Sequence, residues 1–182
     1  MTEADSKHTP TISTAQADPR EAGTQLRPGL WETINGRYPG SMIRKDSYVP
    51  LARLGVPLAE ARLTLISSCG VHARNDHPLD VCHPFGDFRF RRVPSQLRHE
   101  DLTIHQLKYP HDDADVDINV IFPIERLQEL AAEGVLGGLT DNFFSFIGYN
   151  MDPEKFERTV ARDIANAVVS EERADVALLA PA

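Results

Sequence analysis

Apolar positions are unevenly placed along this chain, and their spacing changes from one segment to the next. Residues 1 to about 27 are rich in Thr, Ala, Asp, Glu and Pro and show no hydrophobic period. Such a stretch buries too little apolar surface to offset its conformational entropy, so a disordered tail is expected over 1–27 and a folded part over 28–182. Leu30, Trp31 and Ile34 open an amphipathic stretch, and the chain from there to about Pro57 is expected to wrap the core as helix and loop. Arg62-Leu63-Thr64-Leu65-Ile66-Ser67-Ser68 is the first β-prone run, closed by Cys69-Gly70 as a buried strand feeding a loop would be. Residues 72–101, with many His, Pro and charged positions, read as a long irregular excursion, and such loops often carry function.

Beyond it, Leu102-Thr103-Ile104-His105-Gln106-Leu107 alternates in part and predicts a second strand. Pro123 suits the first turn of a helix whose apolar face is Ile124, Leu127, Leu130 and Ala131, with Gly134 as its C-terminal cap. Val135–Leu139 and Phe143–Ile147 are strand or loop pieces around Asn142. Asp152 then suits an N-cap with Pro153 at the first helical position, and Phe156, Val160, Ile164, Ala167 and Val168 form the buried stripe of the helix that follows. Asp175-Val176-Ala177-Leu178-Leu179-Ala180 reads as a strand buried on both faces.

Strands separated by helices of this length predict an α/β fold: a Rossmann-like, open, mainly parallel sheet flanked by helices. Ligands of such sheets bind beyond the carboxyl ends of strands. That rule directs attention to Ser68–His72 and to Ala180-Pro181-Ala182.

Length and charge narrow the function classes. The 182 residues suit one domain at roughly 150 residues per domain. A formal charge of −8 opposes nonspecific binding to nucleic acid or to an anionic membrane, both polyanions. No apolar run approaches the roughly 20 residues that span a bilayer. MTEADSKHTP has neither a basic region nor an apolar core, and two cysteines make no disulfide framework. The expected compartment is the cytoplasm.

Three constellations could carry chemistry. Cys69-x-x-His72 follows a strand, where a neighbouring imidazolium would make a thiolate reactive, although a buried structural Cys fits the same spacing. His77, Asp80, Cys82 and His83 include metal-ligating types, or form a solvated loop. His111-Asp112-Asp113-Ala114-Asp115-Val116-Asp117-Ile118-Asn119 places a His among carboxylates, which would raise its pKa for acid–base work. Asp117 and Asn119 alternate with Ile118 and Val120, as on one side of an extended segment; a polar turn with capping roles is the alternative. Gly-rich phosphate loops and the G-x-S-x-G elbow are absent from the sequence. Gly134-Val135-Leu136-Gly137-Gly138 follows a helix, which suits a cap and turn.

Several strings then recur in a familiar order: Gly70-Val71-His72; Pro78-Leu79-Asp80; Pro84-x-Gly86-Asp87-Phe88-Arg89-Phe90-Arg91-x-Val93-Pro94; and His111-Asp112-Asp113-Ala114-Asp115-x-Asp117-Ile118-Asn119-x-Ile121-Phe122-Pro123-Ile124-Glu125-Arg126-Leu127. Over about 62–182 the chain resembles the glycine/sarcosine/betaine reductase selenoprotein B family, in its branch similar to the D-proline reductase selenoprotein subunit. The resemblance implies an oxidoreductase that cleaves a bond of an amino-acid or amine-like small molecule reductively, with a dithiol–disulfide couple, a thiol/disulfide electron donor and a partner reductase subunit. It implies no separate cofactor. The family's selenocysteine or cysteine is expected just beyond Ala182, so that 182 residues would be the product of a frame halted at a selenocysteine codon and the domain would be incomplete at its C-terminus. Under this resemblance His72 and His111 are candidate proton donors, Asp117 and Asn119 candidate orienting groups, and Cys69 a further redox candidate. Cys69 stands where the family pattern has a small non-thiol residue, and Arg89 where it has a small hydroxyl residue. Two rival readings are a non-catalytic binding or regulatory subunit of the same fold, and a metal-dependent hydrolase using His72, His111 and Asp115.

Overall fold

The computed structural model describes residues 28–39 and 52–182. The chain divides into two units at Tyr38–Pro39. The first contributes helix α1 (Pro28–Arg37), where the amphipathic stretch was expected to start. The expected tail over 1–27 and most of the segment leading to Pro57 lie outside the described residues.

The second unit is built on β1 (Arg62–Ser67), whose side chains are covered on both faces. Along the chain follow β2 (Val71–Ala73), β3 (Phe90–Pro94), β4 (Leu102–Ile104), α2 (Asp112–Val116), α3 (Ile124–Ala132), β5 (Gly138–Leu139) and β6 (Asn142–Phe146). Helix α4 covers 153–171 and mixes α-helical and π-helical turns; β7 (Val176–Ala180) comes last. One edge of β1 pairs in parallel with β5 and then β6, and the other pairs in parallel with β7. β3 lies antiparallel against β6. The main sheet is therefore β3–β6–β1–β7, mostly parallel, with helices on its faces. β2 and β4 form a separate antiparallel pair.

Alternation along the strands sorts side chains into two cores, because successive residues of a strand point to opposite faces. Leu63, Leu65, Val93 and Phe143 pack with Phe122 and with Ile124 and Leu127 of α3. Phe144, with Ile66, Phe90 and Phe146, packs against Phe156, Val160, Ile164 and Ala167 of α4. Phe122, Phe143 and Phe144 are fully buried, and each such side chain contributes about 1.5–3 kcal/mol by leaving water.

Between the Leu63–Leu139 and Ile66–Phe144 pairs, the β5–β6 side carries two more residues than β1. Buried Glu172 holds this bulge together: its carboxylate accepts from the backbone N–H groups of Asp141 and Asn142 and from the Asn142 side chain. The close approach after α3 requires glycine, since a Cβ on Gly137 would stand 2.2 Å from the Glu60 carbonyl carbon.

The helix after Asp152 matches expectation, and α3 does so at Ile124, Leu127 and Ala131, while Leu130 is exposed instead of lying on the core face. Asp152 caps α4 by accepting from the Lys155 amide, with Pro153 next. Pro123 sits one place earlier than expected, at the N-cap of α3. Other expectations need correction. The stretch 72–101 is not one irregular excursion: it holds β3, which pairs with β6 through Phe90–Phe146 and Val93–Phe143, and starts inside β2. Residues 118–120 form a 3₁₀ turn, not an extended segment, because the Asp117 side chain accepts from the Asn119 amide and folds the chain back. β7 is not buried on both faces. Val176 and Ala180 touch the core, but Leu178 and Leu179 are 38% and 68% exposed, because β7 is an edge strand with β1 on one side only among the described residues.

Candidate functional site

The carboxyl ends of β1, β6 and β7 converge, as the parallel pairing requires. The Gly70 amide donates to Phe146 O at 2.9 Å, and the Gly148 amide donates to Ser68 O at 3.1 Å. From β7's end, the Ala182 amide donates to the Ser68 hydroxyl at 3.0 Å, and that hydroxyl donates to the Ala182 carbonyl oxygen at 3.3 Å. The two strand ends singled out from sequence therefore meet at Ser68.

Gly70 turns the chain out of the sheet with φ +73°, in the left-handed region that glycine tolerates. A Cβ there would lie 2.4 Å from His105 O, so the corner closes only around glycine. The His105 amide donates to Gly70 O at 3.0 Å, and the Tyr109 hydroxyl donates to Cys69 O at 2.8 Å. Burial pushes the Tyr109 hydroxyl above its ordinary pKa.

From this corner β2 and β4 run as an antiparallel pair that brings two imidazoles together. His72 Nε2 and His105 Nδ1 are 2.6 Å apart, with ring centroids at 4.7 Å and planes 29° apart, an edge-to-edge bond. His72 Nδ1 lies 2.7 Å from Ala73 O. A carbonyl only accepts, so Nδ1 carries the His72 proton, Nε2 accepts, and His105 donates through its Nδ1. Nε2 of the half-buried His105 is left as the open end. Burial lowers the His72 pKa, and the neighbouring charges of His105 and Arg91 lower it further, against the Ala73 carbonyl and Asp76. The pair presents His105 Nε2 as an open acceptor, and burial favours the neutral form of the inner ring.

Cys69 is fully buried, with its sulfur 3.7 Å from the Ser145 hydroxyl, and burial pushes its thiol up. It is held as a thiol inside the core. The remaining sequence candidates lie around α2 and α3, where the His111 ring stands edge-on to Tyr109 at a centroid distance of 6.0 Å and so borders the corner. His111 Nδ1 contacts Asp115 Oδ2 at 2.9 Å across one turn of α2. Asp117 accepts from the Asn119 amide and side chain, and these bonds hold its carboxyl below the ordinary range. Asn119 Oδ1 accepts from the Glu125 and Arg126 amides, and its Nδ2 donates to Glu125, so Asn119 caps the start of α3, while Asp117 caps the 3₁₀ turn at 118–120. The structure thus joins Cys69 and His72 at one corner and places His111, Asp117 and Asn119 around α2 and α3.

Asp80 turns back on its own loop, where Oδ1 accepts from the Cys82 and His83 amides. Among the described residues, no three His, Cys, Asp or Glu side chains come together in a way that could hold a metal ion. Among them, too, no helix is long and apolar enough to cross a membrane.

Sequence reasoning placed Ser68 at a strand end of interest but missed His105 and Tyr109. His105 carried a signal: it follows the second predicted strand's alternation, and pairing that strand with Val71–Ala73 sets Thr103 opposite His72. Tyr109 had none.

One curated protein gives the comparison. The chain is similar to the D-proline reductase subunit gamma of Acetoanaerobium sticklandii, 29% identical over 143 residues, which covers 75% of this chain and 57% of that protein. The chain therefore spans a little over half the length of this relative. No family model matches the chain, and no solved structure matches it.

Proposed function

We propose that this chain is a component of a reductase related to D-proline reductase, cleaving a bond of an amino-acid or amine-like substrate within a multi-subunit assembly in the cytoplasm. The observation that carries the reading is the His72–His105 pair beside the converging ends of β1, β6 and β7, together with the similarity to a reductase subunit. In the reaction two electrons and two protons leave a dithiol or selenol–thiol pair, which closes to a disulfide or selenenyl sulfide. The substrate bond breaks and each fragment gains hydrogen.

The reacting selenol or thiol is proposed to follow Ala182, on a Rossmann-like sheet that continues past the exposed edge of β7. A selenol or low-pKa thiol there supplies the nucleophile. The described residues have narrower tasks. Ser68 fixes the end of β7 through its two bonds to Ala182. His105 Nε2, the acceptor end of this tautomer, takes a proton and hands it on, while His72 positions the ring and sets that tautomer. His111, oriented by Asp115, is a second proton source. Asn119 acts at a distance through the α3 start it caps, and Asp117 through the 3₁₀ turn that leads to Ile121, whose carbonyl accepts from the Ser67 hydroxyl. Cys69 is a packing residue.

The gene and the enzyme test this in turn. The codon after Ala182 should be UGA followed by an open frame with an early cysteine codon; any other stop overturns the placement of the reacting group. The continued product, assayed with dithiothreitol and D-proline, glycine, sarcosine or betaine, should reduce one of them. His105→Gln should lower that turnover about a hundredfold with folding unchanged. Unaltered turnover removes the proton role, and no reduction of any substrate favours a non-catalytic subunit of the same fold.

A further inference from the structure

A second feature lies one loop away from the strand ends. Beyond the carboxyl end of β6, a cavity of about 270 Å³ is lined by Asp80, His83, Gly86, Asp87, Phe88, Arg89 and Lys155. Pockets for drug-sized ligands run to roughly 300–1,000 Å³, so this one suits something smaller. Its wall is closely built. Gly86 has φ +91°, and a Cβ on it would lie 2.2 Å from Tyr149 O, which clamps the 80–89 loop onto the chain leaving β6.

Asp87 is 5% exposed and takes Arg89 in a bidentate grip, Nε at 2.7 Å and Nη2 at 2.6 Å, and its Oδ2 also accepts from the Asp80 amide at 2.6 Å. Burial alone would raise the Asp87 carboxyl, but these donors hold it below the ordinary range. This grip fixes the guanidinium and leaves Nη1 without a partner among the described residues. His83 Nδ1 accepts from the Phe85 amide, so its proton sits on Nε2. Lys155 stands over the Phe88 ring at 4.1 Å and has no carboxylate partner among the described residues. On the acceptor side, Asp80 engages the Cys82 and His83 amides through Oδ1 and leaves Oδ2 open.

The charges decide the class of ligand. Arg89 and Asp87 cancel each other, which leaves one cation, Lys155, and one carboxylate, Asp80. A dianion such as phosphate would face Asp80 without enough compensation, whereas a single carboxylate matches Lys155, Arg89 Nη1 and His83 Nε2–H. Asp80 then accepts from a donor elsewhere on the same ligand. We propose that this cavity binds a small monocarboxylate that also carries a hydroxyl or amino donor. The proposal does not depend on the reductase reading.

Titration of the ¹⁵N-labelled chain with glycolate, acetate and inorganic phosphate tests it. Glycolate should give saturable shifts confined to 80–89 and the start of α4, with acetate about threefold weaker and phosphate weaker still. Lys155→Gln should weaken glycolate about fivefold with unchanged thermal unfolding. Asp80→Asn, whose amide oxygen can keep the two loop bonds, should remove the preference for glycolate over acetate. Absence of saturable shifts, shifts centred elsewhere, phosphate as the tightest of the three, or equal affinity in Lys155→Gln overturns the proposal.

Discussion

The corner at Gly70 and the polar turn at 111–119 are both dense in groups that can move protons, yet the fold uses them in opposite ways. At the corner, bonds join residues far apart in sequence: His72 to His105, Tyr109 to Cys69, Ser68 to Ala182. In the turn the candidate side chains bond within seven positions, His111 to Asp115 and Asn119 to Asp117, Glu125 and Arg126, while the Ile118 amide reaches further, to the His99 ring. Local bonds satisfy the orphan amides of a helix start and leave exposed carboxylates in water. Long-range bonds hold an imidazole pair in the protein, one ring buried and one ring edge open. The comparison teaches that density of ionisable residues is a poor guide to a site; what matters is whether their partners come from the same turn.

The sharpest way to break this contrast is Gly70→Ala. The added Cβ meets His105 O at 2.4 Å, and alanine must also adopt a φ of +73°. The left-handed conformation costs about 1–2 kcal/mol and overpacking about 1–3 more. We expect a loss of about 3 kcal/mol in urea unfolding, together with displaced His72 and His105 ring signals. A loss under about 1 kcal/mol would mean that the corner yields easily and is no rigid frame for the imidazoles.

Asn119→Ala tests the other region and should cost less. It removes the oxygen that accepts the Glu125 and Arg126 amides and the donor to Asp117 and Glu125. Loss of a cap costs about 0.5–2 kcal/mol. Asn119→Asp, which keeps the accepting oxygen, should recover part of it. Unchanged His72 and His105 signals in both variants would confirm that the turn serves α3 rather than the imidazole pair.

What could be read from sequence follows the same division between local and distant. The α4 stripe, the α3 stripe apart from exposed Leu130, the Asp152–Pro153 start and the β1 run depend on neighbours within a few residues, and they stand as expected. That the sheet is mainly parallel followed from the order of strands and helices, whereas the flanking of β1 by β6 and β7 did not. Three features had no local signature. β3 carries a run of arginines that obscures its alternation, and pairing with β6 is what makes it a strand. Leu178 and Leu179 have the same composition at a sheet edge as in its centre, so burial of β7 could not be inferred from its apolar content. His105 gained its meaning only from the register that sets β4 against β2.

The smallest expected effect separates the two histidine pairs by their response to acid. The His72 pKa in the folded chain is depressed below the unfolded reference of about 6.5. The unfolded chain therefore binds the proton first as pH falls, and stability held in full above about 6.5 declines from there down through the folded pKa. His72→Gln removes this titration, so its unfolding free energy should fall less between neutral pH and pH 5 than that of the parent chain. The His111–Asp115 contact is different: the Asp115 side chain is 56% exposed, and such ion pairs contribute about 0–1 kcal/mol. Asp115→Asn should change stability by no more than about 0.5 kcal/mol. If Asp115→Asn flattened the fall in stability toward acid more than His72→Gln did, the turn, and not the corner, would be the proton-sensitive region, and the contrast between them would reverse.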